Sequence, residues 1–326
     1  MNRDESKKDV IIVGGGPAGL TSAIYTSREG FNTLLLERGV CGGLPATTDM
    51  IENYPGFPDG ISGSHLIEKF KKQALRFGTH IREYEAVVGI KNRNNTIEVT
   101  TSKQSYHARA VVVGSGSIPK MLHVPGEEKL AGRGVSYCVT CDGPFFKDKH
   151  VAVIGCGNSG LQEGESLLRY AKSVTFVEFL PHMTAEKILQ ERLQNRNNTK
   201  FLLSHQLISI EGKDSVHSLV LKNLETGENK KVDVSGVFIY AGFVPDSKFL
   251  EGIVKLDDCG YITTNDRMET SVSGIYAAGD IRAKKVRQID VACGEGTIAA
   301  VSVRDYIHQL DSKSVDKKKT ISTRSD

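Results

Sequence analysis

Val151-Ala-Val-Ile-Gly155-Cys-Gly157-Asn-Ser-Gly160 is an apolar strand running into a glycine-rich turn, and Val10-Ile-Ile-Val-Gly14-Gly-Gly16-Pro-Ala-Gly19 writes the same pattern near the start of the chain. Each turn opens a helical stretch, and each helix leads to a second strand ending on an acid. These are Asn32-Thr-Leu-Leu-Leu-Glu37 after the first turn and Ser173-Val-Thr-Phe-Val-Glu178 after the second. A bare turn lets a pyrophosphate approach the backbone, the helix N-terminus faces it, and an acid about 20 residues on can take a ribose hydroxyl. A glycine-rich hairpin would account for the turns but not for strand, helix and acid in register. The repetition predicts an α/β chain with two nucleotide-type domains related by duplication.

Just before the second turn stands Tyr137-Cys-Val-Thr-Cys-Asp-Gly-Pro-Phe-Phe, in which Cys138 and Cys141 are followed at once by Asp142. That spacing serves zinc sites, structural bridges and redox dithiols. Zinc needs two further Cys or His ligands at matching spacing. Cys41, Cys156, Cys259 and Cys293 are scattered singly, so no metal site is expected. In a reducing compartment a persistent Cys pair is more often catalytic than structural. An adjacent carboxyl can supply the proton that a departing thiolate requires, although Asp142 could instead merely cap the turn before Gly143-Pro144.

Farther along, Glu52-Asn53-Tyr-Pro-Gly-Phe-Pro reads as a shaped loop able to wall a ligand. The segments 81–113 and 200–236 alternate apolar and polar residues, as short antiparallel strands do. Gly274-Ile-Tyr-Ala-Ala-Gly279-Asp280 is a strand whose end should lie at the carboxyl edge of a sheet, where open α/β folds bind ligands. Arg287-Gln288 and a helix opening with Gly294-Glu-Gly296 follow, and after Asp311 periodicity stops. A net charge of +3 without a basic stripe argues against nucleic acid. No apolar run of about 18 residues occurs and the first residues are polar, so a cytoplasmic protein is expected.

Gly14-x-Gly16-x-x-Gly19, Cys138-Val-Thr-Cys141-Asp142, Gly242-x-x-Pro245 and Tyr276-Ala-Ala-Gly279-Asp280 together resemble the low-molecular-weight thioredoxin reductases, over roughly residues 9–302. The resemblance implies two Rossmann-like (FAD/NAD(P)-binding, three-layer ββα) domains, the second inserted in the first. The FAD domain would comprise residues 1–118 and 248–311 and the inserted domain 119–247, with a disordered tail over 312–326. It implies FAD as cofactor, thioredoxin or a thioredoxin-like protein as partner, and a homodimer. Carried over, Cys141 would be the flavin-facing sulfur, Cys138 the exchange thiol and Asp142 the acid. Gly14, Gly16, Gly19 and Glu37 would hold the adenosine half of FAD, and Asn53, Gly279, Asp280, Arg287 and Gln288 other parts of it.

The departures concern the electron donor. NADPH-using members end the second glycine motif on alanine and carry a His-Arg-Arg cluster beyond the next strand. Here Gly160 and Glu178-Phe179-Leu180-Pro181-His182 occupy those places, and Cys156 replaces a glycine. A carboxylate repels a 2′-phosphate, and Phe179 and Leu180 offer it no donor. Leu44 and Pro45 stand where glutamine and leucine are usual near the flavin. With the apolar pair and Pro181 read as filling the site, the expectation ranks a protein donor such as ferredoxin first, NADH second and NADPH last. The alternatives are an FAD-dependent dithiol oxidase using oxygen and a non-enzymatic flavin-binding redox sensor.

Overall fold

The structure is a computed structural model that describes residues 6–93 and 96–322. By its internal contacts the chain divides into two compact units, one of residues 1–46, 50–117 and 245–326 and the other of 47–49 and 118–244.

In the first unit β1 (Lys7–Val13), α1 (Pro17–Arg28) and β2 (Thr33–Leu36) form the strand–helix–strand start that the sequence predicts. Next come α2 (Gly63–Arg76), β3 (His80–Arg82), β4 (Val87–Arg93), β5 (Thr96–Thr101) and β6 (Ser105–Val113), and β7 (Ser117–Pro119) then leads from the first unit into the second. The second unit holds β8 (Val135–Ser136), α3 (Val139–Asp142), β9 (His150–Ile154), α4 (Asn158–Leu167), β10 (Ser173–Val177), α5 (Lys187–Gln194) and β11 (Thr199–Leu202). Its remaining strands are β12 (His205–Gly212), β13 (Val216–Asn223), β14 (Asn229–Asp233) and β15 (Gly236–Ile239). After β16 (Phe243–Pro245), which pairs with β7, the first unit resumes with β17 (Ile275–Ala277) and α6 (Ile289–Ser322).

The first unit is built on β3-β2-β1-β6, joined in parallel, with β17 also parallel to β6. β4 and β5 extend it as an antiparallel meander that pairs with the N-terminal half of β6. Burial explains the three layers. Val10 and Ile12 face a core shared with α1 and α6, whereas Ile11 and Val13 face one shared with Ile90, Ile97 and Val99 of the meander. Because side chains alternate along a strand, a one-residue slip of β1 would exchange the two faces. Each misplaced Ile or Val would forfeit on the order of 2 kcal/mol of burial.

The second unit repeats this plan. Its parallel sheet runs β11-β10-β9-β15-β8, beside an antiparallel β12-β13-β14 sheet. Ala152 and Ile154 pack toward that sheet, and Val151 and Val153 toward Leu161, Leu189 and Leu193 of the helices. Both units therefore have the expected two-Rossmann, three-layer ββα architecture.

Two local readings differ. The last helix starts at Ile289, so Gly294 and Gly296 lie inside α6 instead of opening it. A Cβ at Gly296 would stand 2.4 Å from the Ala18 carbonyl oxygen, so this glycine serves close packing of α6 on α1 and not anion binding. Past Asp311, where disorder is expected over 312–326, the helix continues to Ser322, and residues 323–326 lie outside those described. Among the described residues no helix is long and apolar enough to cross a membrane.

Candidate active site

Strand register gathers the first set of predicted residues. Val13 pairs with Leu36 and with Val113, and Val113 pairs with Ala277, so the ends of β2, β1, β6 and β17 lie level at one carboxyl edge. Gly14, Gly16, Gly19, Glu37, Gly279 and Asp280 follow directly from those ends. At Gly19 a Cβ would lie 1.9 Å from the Gly14 carbonyl oxygen, so the turn closes only on glycine. Glu37 Oε2 accepts from the Gly15 N–H at 2.7 Å and its Oε1 from the Gly39 N–H at 2.9 Å. That leaves carboxylate lone pairs for a ribose diol.

Asp280 and Arg287 each carry a buried polar atom without a hydrogen-bond partner, Oδ1 and Nε respectively. Lys284 Nζ stands 3.1 Å from that Asp280 oxygen as an ion pair outside hydrogen-bonding geometry. The Arg287 guanidinium lies over the Tyr261 ring, 4.4 Å from its centroid. Buried polar atoms are rarely left unsatisfied, and these two belong to residues expected to contact the cofactor. Asn53 Nδ2 donates to Gln288 Oε1 at 3.3 Å, which brings together two predicted residues that are 235 apart in sequence.

A supporting group escaped the sequence reading. Glu295 accepts from the Gly279 N–H at 2.7 Å, pairs with Arg282 at 2.6 Å and lies 3.3 Å from Lys284. It fixes the backbone at the end of β17, and only the folded chain brings it there from a turn of α6.

The second unit reproduces the glycine–acid arrangement closely. Glu178 Oε2 accepts from the Cys156 N–H at 2.7 Å and its Oε1 from the Leu180 N–H at 3.2 Å. At Gly160 a Cβ would stand 2.0 Å from the Gly155 carbonyl oxygen, so alanine does not fit this turn as it is wound. The expected plug is only partly present: Phe179 is 61% exposed and Pro181 is exposed, while Leu180 is half buried and Glu178 is 5% exposed.

Cys138 and Cys141 form a disulfide across one turn, their Cα atoms 5.4 Å apart. Cys138 caps α3, and its Sγ accepts from the Cys141 N–H at 3.2 Å. Asp142 makes no side-chain cap to the turn that Gly143-Pro144 opens. Ser136 Oγ donates to Asp142 Oδ2 at 2.6 Å and accepts from the Cys138 N–H at 3.1 Å, so one hydroxyl ties the acid to the backbone of the first cysteine. Tyr137 donates to Glu127 at 2.6 Å, and Glu127 is itself held by the Leu122 and Val124 N–H groups. Beside Asp142 opens a cavity of about 350 Å³ lined by Arg133, Phe145 and Lys149, with Phe145 73% exposed.

Glu163 of α4 is buried and its Oε2 has no hydrogen-bond partner. Burial, and then Asp49, push its carboxyl up to about 7, while Arg169 acts in the opposite direction. Arg169 is itself ion-paired with Asp49. A carboxyl raised from 4.5 to about 7 leaves the folded state holding a proton that the unfolded chain releases, so stability falls as pH climbs through that window. Glu163→Gln is accordingly expected to stabilise the fold by about 3 kcal/mol at pH 8 and by little near pH 5. Denaturant unfolding at both pH values measures this, and an equal gain at both would contradict it.

Residues 8–296 match the family described as pyridine nucleotide-disulphide oxidoreductase. A thioredoxin reductase of Bacillus subtilis is 44% identical over 94% of this chain and 97% of its own length. Among solved structures, Lactococcus lactis thioredoxin reductase in its FR conformation superposes with a TM-score of 0.91 at 36% identity, covering 93% of this chain and 99% of that one. Thioredoxin reductase of T. acidophilum gives a TM-score of 0.89 at 39% identity over 94% and 99%.

Proposed function

The chain belongs to the pyridine nucleotide-disulphide oxidoreductases, as an enzyme of the thioredoxin reductase type, and from that premise we propose that it reduces the disulfide of a thioredoxin or thioredoxin-like protein through Cys138 and Cys141, with electrons from a donor other than NADPH. The observation that carries this reading is Asp142, uncapped and tethered through Ser136 to the backbone of a formed Cys138–Cys141 bridge. The Cys141 N–H on Cys138 Sγ favours the thiolate at Cys138 once the bridge is open, which suits it to attack a partner disulfide. Exposed Phe145 offers an apolar contact for such a partner.

Thioredoxin reductases of this family are FAD enzymes, and the level strand ends, glycine turn and orphaned polar atoms of the first unit fit that group. Gly14, Gly16, Gly19 and Glu37 would hold its adenosine half, and Asn53, Gly279, Asp280, Arg287 and Gln288 its other parts. Bound there, FAD supplies the two-electron carrier between donor and disulfide. A homodimer in the cytoplasm is part of the same proposal.

For the donor, the likeness of Glu178 on Cys156 to Glu37 on Gly15 supports NADH, whose 2′-hydroxyl can donate to an acid that would repel a 2′-phosphate. The deep burial of Glu178 favours a second reading, a protein donor such as ferredoxin. Anaerobic stopped-flow mixing with NADH, NADPH and reduced ferredoxin in turn separates them by flavin bleaching. NADH is expected to act at least about tenfold faster than NADPH, roughly the 1.4 kcal/mol of one misplaced charge contact. Rapid bleaching by micromolar NADPH would return the chain to NADPH users, and bleaching by ferredoxin alone would establish the second reading.

A further inference from the structure

Ser136 is the last residue of β8 and only 4% exposed, and its pairing with Phe238 of β15 fixes the backbone that carries its hydroxyl. Three polar groups converge on that one oxygen. It lies 2.6 Å from Asp142 Oδ2 and 3.2 Å from the Cys138 carbonyl oxygen, and it accepts from the Cys138 N–H at 3.1 Å. A hydroxyl has a single proton to donate, so Asp142 and the Cys138 carbonyl compete for it. Distance and charge both favour Asp142, because a hydrogen bond to a carboxylate is shorter and stronger than one to a neutral carbonyl. The Cys138 carbonyl does not go unpaired, since it also accepts from the Asp142 N–H at 3.1 Å. Ser136 thus engages one named oxygen of the acid from a buried, sheet-held position, while Asp142 itself is half buried and lines the cavity of about 350 Å³.

We propose that Ser136 is a positioning residue for the acid step of partner reduction: by donating to Oδ2 of Asp142 it assigns the acid's proton to the other oxygen, Oδ1, and holds the carboxyl in place before and after that proton leaves. The inference rests on the reductase reading. Reduction of the partner requires two protons, and a Cys138 thiolate beside a Cys141 thiol brings only one. Cys138 attacks one sulfur of the partner, the partner S–S bond breaks, and the departing thiolate takes the proton from Asp142 Oδ1. Asp142 is now a carboxylate, and the Ser136 bond to Oδ2 strengthens as the charge appears. Cys141 then attacks Cys138 Sγ and displaces the second partner thiolate, which takes the Cys141 proton as the Cys138–Cys141 bridge re-forms. The dithiol has lost two electrons, the partner has gained two electrons and two protons, and Asp142 recovers its proton from water. Ser136 exchanges no proton with the partner and acts through Asp142 alone. A purely structural role is the competing account, because the same oxygen accepts the Cys138 N–H and its loss would loosen the attacking cysteine.

The test separates the two roles by the leaving group. Flavin-loaded protein reduced anaerobically with stoichiometric dithionite is mixed in turn with oxidised thioredoxin and with the symmetrical disulfide of thionitrobenzoate. Thionitrobenzoate departs as a stable thiolate and needs no acid, whereas a thioredoxin thiolate does. Ser136→Ala should therefore slow thioredoxin reduction about tenfold and leave the rate with the aromatic disulfide within about twofold. In an Asp142→Asn background, where no proton can be given, Ser136→Ala should slow thioredoxin reduction by no more than a further factor of about two. This second arm decides on thioredoxin alone. Equal slowing with both disulfides, or a full tenfold further loss in the Asp142→Asn background, would place the role of Ser136 at the Cys138 backbone and overturn the inference, as would a Ser136→Ala protein that reduces thioredoxin at the unmodified rate. None of these results touches the reductase reading. An unmodified reduced protein that delivers no electrons to thioredoxin overturns the inference and that reading together.

Discussion

Cys138→Ser is expected to abolish thioredoxin reduction outright, and Cys141→Ser to abolish turnover while trapping the partner. With Cys141 gone, Cys138 can attack a thioredoxin disulfide, but nothing can resolve the product, so a mixed disulfide through Cys138 should accumulate. With Cys138 gone, the remaining thiol loses the arrangement that suits it to attack. The Cys141 N–H points at Cys138 Sγ, and Ser136 fastens Asp142 to the Cys138 backbone. Non-reducing electrophoresis and mass mapping of each variant after incubation with oxidised thioredoxin would locate the bond. A complex through Cys141 would reverse the assigned roles, and full turnover in either variant would make the pair structural.

Gly19→Val should yield a protein that purifies without flavin. Even a single Cβ at this position would meet the Gly14 carbonyl oxygen at 1.9 Å, and that atom is backbone, so the turn itself must open. Opening it moves α1, whose Ala18 and Ser22 pack against Gly296 of α6, and the damage therefore spreads to the edge carrying Gly279 and Asp280. Absorbance of the purified variant at the flavin bands, with unfolding followed in parallel, measures both losses. Glu37→Gln, which keeps the size and one acceptor, should retain most of the colour. A yellow Gly19→Val protein with normal occupancy would show that the dinucleotide does not lie on this turn.

Much of this was legible in the sequence because it is local. The strand–turn–helix starts, Glu37 and Glu178 at the strand ends, and Cys138 through Asp142 all sit within one or two elements. Their geometry follows from periodicity and glycine placement. The start of α6 was missed because Gly294 and Gly296 look like a helix opening, and only their packing against α1 shows them to be interior. Glu295, Ser136 and Glu163 were invisible for a related reason. Nothing in the spacing of a single helical glutamate says that its carboxylate will face a strand end 16 residues earlier, as Glu295 does with Gly279. The apolar character of Phe179 suggested a filled pocket, but a side chain at the rim can point to solvent, and here it does.

The most direct measurement counts thiols. Protein reduced anaerobically with dithionite, freed of excess reductant and mixed with oxidised thioredoxin should yield two new thioredoxin thiols for each Cys138–Cys141 bridge re-formed, and Cys138→Ser protein should yield none. Reoxidation that produces no thioredoxin thiols, and proceeds only when oxygen is admitted with formation of hydrogen peroxide, would contradict the account and identify a dithiol oxidase.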